Sequence, residues 1–66
     1  MEILIQYFNI RLVAESDGRF YLEEREDENS LFTPFMVFDG NLITAVAETN
    51  KKIKDTKQFG YAPPRI

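Results

Sequence analysis

The sequence predicts an α+β domain: a three-stranded antiparallel sheet (β-β-β-α) with one helix packed on a face, then an irregular C-terminal tail rich in aromatics and proline. Three observations predict it. Runs of β-branched and aromatic residues over 3–14 and 19–25 flank an Asp17-Gly18 pair, and a shorter run follows Pro34. Leu42, Val46, Thr49 and Ile53 then recur at spacings of four, three and four, which is one face of a helix. Finally, Gly60 and the Pro63-Pro64 pair exclude regular helix or a central strand at the end of the chain.

Residues 3–14 read as one long strand, because neither Gly nor Pro interrupts them. Leu4, Phe8, Ile10, Leu12 and Ala14 make one apolar face, with Gln6 as the exception. Ile3, Ile5, Tyr7 and Val13 make the other, broken by Asn9 and Arg11. A strand apolar on both faces is either covered on both sides or offers one face to a partner. Ile3, Ile5 and Tyr7 are therefore candidate contacts. Asp17-Gly18 is the strongest hairpin signal in the chain, since such a turn needs positive φ. The returning strand, 19–25, would place Phe20 and Leu22 in the core and Tyr21 and Glu23 outward. Strand three lies within Leu31 to Phe38, at least from Phe35, and Pro34 marks a strand start, a bulge or an edge. Either Asp39 or Asn41 caps a helix over 41–56, whose lysines 51, 52, 54 and 57 complement the dipole at its C-terminal end. The domain is thus 1–57, with 58–66 as the tail.

Asp17-Gly18-Arg19-Phe20-Tyr21 in the first turn, and Gly40 before a helix from Leu42 to Asp55, give an element order that weakly resembles the HicB-like antitoxin domain. That domain also runs three strands into one helix. The loop from Arg25 to Phe32 is longer and more acidic than in that family, and no DNA-binding segment is visible.

The functional reading starts from what is missing. A chain of 66 residues buries only about 60% of its unfolded surface, and such domains usually need a staple. With no Cys and no His, disulfides and the usual zinc or copper ligands are excluded, which leaves association with a partner or with a second copy. Catalysis is not expected either: the usual acid–base residue and thiol nucleophile are lacking, and Ser16 and Ser30 sit in turn contexts. Isolated glycines make no phosphate loop, and no cofactor is expected. Glu24, Glu26 and Glu28 could line one side of an extended segment, but so small a domain hardly forms the cleft a carboxylate pair needs. The acidic run also departs from EF-hand spacing, because it lacks Gly and contains Arg25.

A net charge of −3 argues against nucleic-acid and anionic-membrane partners. The start, Met1-Glu2-Ile3-Leu4-Ile5-Gln6, lacks the basic residues and unbroken apolar run of a signal peptide, so the cytoplasm is the expected location. Two surface features point to protein binding. The acids Glu23, Glu24, Glu26, Asp27 and Glu28 are either a solvated loop or a patch that docks on a basic surface. Phe59 and Tyr61 are either a plug for the sheet end or anchors for a partner groove. The expected function is a small acidic protein-interaction module, an inhibitor, regulator or accessory subunit acting by surface occlusion, of a size and charge that suit phage or mobile-element origin. The alternative is a structural homo-oligomer, such as a homodimer, assembled through the first strand.

Overall fold

Phe8 has a positive φ of 53°, and that residue divides the run read as a single strand over 3–14. In the computed structural model, which describes residues 1–58, the run forms β1 (Glu2–Tyr7) and β2 (Ile10–Ala14). They pair antiparallel with Tyr7 opposite Ile10, so Phe8 and Asn9 alone make the turn. Such loops usually mark themselves with Gly, Asn or Asp at the position of positive φ. Here a Phe holds it, at a cost of about 1–2 kcal/mol. Asn9 offsets this by tying the turn down: its carbonyl accepts from the Arg25 backbone N–H at 2.9 Å and its Oδ1 from Arg25 Nε at 3.0 Å.

Two further strands follow, β3 (Phe20–Glu24) and β4 (Thr33–Phe38), and then the helix α1 (Leu42–Gln58). All pairings are antiparallel and the sheet order is β1-β2-β3-β4. The sheet therefore has four strands rather than the expected three. The three-strand order behind the likeness to the HicB-like antitoxin domain is corrected with it. The tail read over 58–66, with Phe59 and Tyr61, lies outside the described residues except for Gln58, the last residue of α1.

The turn between β2 and β3 forms where Asp17-Gly18 placed it. Gly18 alone takes positive φ, 86°, and its N–H donates to the Glu15 carbonyl at 3.1 Å. Glu15 N–H in turn donates to the Arg19 carbonyl at 3.0 Å, which closes a three-residue loop. Both edge strands are bulged. In β1, Ile3 pairs with Val13 but Ile5 with Leu12, so Leu4 is the extra residue. In β4, Met36 pairs with Leu22 but Pro34 with Glu23, so Phe35 is extra. Bulges and proline at sheet edges discourage uncontrolled pairing with other chains.

The core lies between the sheet and α1, which packs against β2, β3 and β4. Ile10, Leu12, Leu22, Phe38 and Ala45 form it, with Ile5, Phe20, Val46 and Ile53 packed alongside. Phe20 and Leu22 thus face inward as their alternation predicts. Thr49 is fully buried, and its hydroxyl donates to the Ala45 carbonyl at 2.8 Å, so no polar atom is stranded. The choice of cap is settled as well. Asn41 Oδ1 accepts from Thr44 N–H at 3.0 Å, whereas Asp39 pairs with Arg19 at 3.0 Å. The helix runs two residues beyond its expected end at 56.

Two stability outcomes follow from this packing. Asn41→Ala should cost about 1 kcal/mol and lower Tm by roughly 4–8 °C in a domain of this size, while Asp39→Ala should change it little. Leu12→Ala should cost about 2–5 kcal/mol, comparable with the whole stability of so small a domain, and should abolish a cooperative melt followed by circular dichroism.

Candidate functional site

Strand alternation puts Ile10 and Leu12 of β2 under α1, so Arg11 and Val13 point to the opposite face. Register then carries that face across the sheet. Ile3, Val13, Tyr21 and Val37 lie side by side on β1, β2, β3 and β4, one apolar row spanning all four strands. Val13, in the middle, is fully buried, while the ends are open: Ile3 is 46% exposed and Val37 54%. No helix or strand of the described residues lies over this row.

Polar rows border it. On one side Gln6, Arg11, Glu23 and Pro34 are in register, and Arg11 Nε donates to Glu23 Oε1 at 2.7 Å. Phe32 stacks there, with the Arg11 guanidinium 4.0 Å and that of Arg25 4.5 Å from its ring centre. On the other side are Glu15, Arg19 and Asp39, the last two joined by an ion pair. Glu15, Ser16, Asp17, Tyr21, Glu23 and Pro34 line a shallow depression of about 380 Å³ that meets the row at Tyr21. Within it, Tyr21 OH donates to Asp17 Oδ2 at 3.1 Å and Arg19 N–H donates to Asp17 Oδ1 at 2.9 Å. These bonds, the backbone one first, hold the Asp17 carboxyl below its ordinary value of 3.8.

β4 bounds the face and has an unusual surface of its own. None of its residues, Thr33–Phe38, is charged, although it is an edge strand. On the helix side of the sheet Phe35 and Met36 are also half exposed, with Lys52 Nζ 4.3 Å above the Phe35 ring.

Among the described residues, those singled out from sequence do not form one site. Ile3 is on the open face, but the Leu4 bulge sends Ile5 and Tyr7 to the other side. There Ile5 packs on the core, and Tyr7 lies under Lys57 Nζ at 5.0 Å. The acidic run is similarly dispersed. Glu23 is on the open face with Arg11, and Glu24 is on the helix side, 3.3 Å from Lys52. Asp27 organises its own loop, accepting from Asn29 N–H at 2.9 Å and Ser30 Oγ at 3.0 Å. Glu26 and Glu28 are exposed. Two of the clustered lysines, Lys52 and Lys57, are likewise engaged in packing over aromatic rings.

Val37 is the residue of the row that sequence reading missed; Val13, read with Ile3 on one face of the first strand, lies in register beside Ile3. The outward reading of Tyr21 pointed to the face, but the partners of Tyr21 depend on the split at Phe8 and the bulge at Phe35, which no residue type announces. Among the described residues no group of three or more Asp or Glu is placed to hold a metal ion. No helix among them is long and apolar enough to cross a membrane. Comparison with models of known protein families, with curated proteins and with solved structures finds no match to the chain.

Asp17 gives this site a pH signature. A carboxyl whose folded pKa is depressed contributes stability above its unfolded value of 3.8, and loses it as pH falls through the lower folded value. Carbon-detected NMR titration should find Asp17 titrating below 3.8, and Tyr21→Phe, which removes one of the two bonds, should move that midpoint upward.

Proposed function

We propose that the chain is a protein-interaction module that binds its partner on the sheet face opposite α1 and acts by covering part of that partner. The observation that supports this most is the apolar row Ile3, Val13, Tyr21 and Val37, which crosses the whole sheet and ends in two half-exposed residues. Exposed apolar side chains bordered by polar groups are a feature of protein-binding surfaces. The uncharged edge β4 extends the same surface. Inhibitor, regulator and accessory subunit are all roles that such a module fills. The dispersal of the acidic run onto both sides of the sheet makes it a weaker candidate for the contact than the row.

A second reading, a homo-oligomer assembled through β1, has in its favour that β1 is an edge strand with Ile3 and Leu4 partly exposed. Paired captures from lysate separate the two. The wild-type chain should recover one protein near stoichiometry, and Val37→Asp should lose it while melting within a few degrees of wild type, because exposed positions tolerate change to within about 0.5 kcal/mol. Equal recovery by both chains would place the contact elsewhere. A Tm that rises with protein concentration, with nothing captured, would favour the oligomer.

A further inference from the structure

The charges of this chain are divided between its two layers. Residues 1–41, which make the sheet and its loops, hold nine carboxylates against three arginines, a net charge of −6. Helix α1 holds four lysines against two carboxylates, a net charge of +2. The apolar row therefore opens from the acidic layer, on the side away from the lysines. Close to the row the imbalance persists. Glu15, Asp17, Glu23 and Asp39 stand there against Arg11, Arg19 and Arg25; Arg11 is engaged by Glu23 at 2.7 Å and Arg19 by Asp39 at 3.0 Å, and Arg25 lies over Phe32 with its Nε bonded to Asn9, so the excess beside the row is a single negative charge. Among the described residues no basic side chain lines the depression formed by Glu15, Ser16, Asp17, Tyr21, Glu23 and Pro34.

A second copy laid face to face on this surface would bring two net-acidic layers together, and like charges across an interface oppose association. We propose that the occupant of the open face is a segment of another protein in which apolar residues are flanked by lysine or arginine. Its apolar residues cover Ile3 and Val37, and its cations lie along the depression that Tyr21 divides. This rests on the reading above that the face binds a protein, and adds the chemistry of what it binds. Association with such a segment is steered by the acidic layer, so its rate falls as salt screens the charges.

The test uses the full chain, labelled with ¹⁵N, and three synthetic peptides of equal length in which the same apolar residues alternate with lysine, with serine or with glutamate. The lysine peptide should shift the amides of Ile3, Tyr21 and Val37, and should bind about tenfold more weakly when salt is raised from low to near-molar concentration. Glu15→Gln combined with Asp17→Asn should weaken the lysine peptide and leave the serine peptide unchanged. Serine and lysine peptides that shift these residues alike, without salt dependence, would overturn the charge requirement while leaving the face a protein-binding surface. Shifts confined to residues 24–28, or no shift with any peptide, would overturn the proposal and count against the face itself. Shifts of the same amides on raising the concentration of the chain alone would make a second copy the occupant, and would also overturn the proposal.

Discussion

A single helix covers a single face of a sheet, and the surface of this molecule follows from that limit. α1 has 17 residues and is about 25 Å long at 1.5 Å per residue, longer than any of the strands it packs on. It buries Ile10, Leu12, Leu22 and Phe38 against Ala45 and its neighbours, and with that the helix is used up. A helix that covers one side leaves the other side to its own side chains. Val13 is buried there, and the ends of its row stay open. The exposed row and the core are thus two consequences of one arrangement.

The edges show how a small sheet lives with an uncovered face. β1 and β4 both carry a bulge, at Leu4 and at Phe35, and β4 adds Pro34, which has no N–H to offer a neighbouring strand. Backbone pairing with other chains is discouraged at the same strands that display apolar side chains. The strained turn at Phe8 belongs to the same economy of length. A two-residue turn leaves enough chain for a fourth strand, and the bonds from Arg25 to Asn9 hold it against the cost of positive φ.

Much of the fold was legible because its signals were local. Asp17-Gly18 marked the central turn, the alternation of Phe20 and Leu22 gave the inward face of β3, and the spacing from Leu42 to Ile53 gave the helix. Pro34 was read as an edge or bulge residue and lies on the edge strand, next to the bulge. The fourth strand was not legible, because Phe8 occupies a position where composition leads one to expect Gly or Asn, and an apolar run without punctuation reads as continuous. That one turn also decided the site. It made β1 an edge, and with the Leu4 bulge it separated Ile3 from Ile5 and Tyr7. Glu23 was legible as outward from strand alternation, but the acidic run does not make one patch, since adjacent Glu23 and Glu24 point to opposite sides of the sheet.

The claim on which the functional account stands is that the face opposite α1 is open in the free chain. Methyl NMR of the full chain, with a soluble paramagnetic agent added, measures this directly. The account predicts strong broadening of the Ile3 and Val37 methyls, with Leu12 and Leu22 protected under the helix. Ile3 and Val37 methyls as protected as those of Leu12 would mean the face is already covered, and would contradict it.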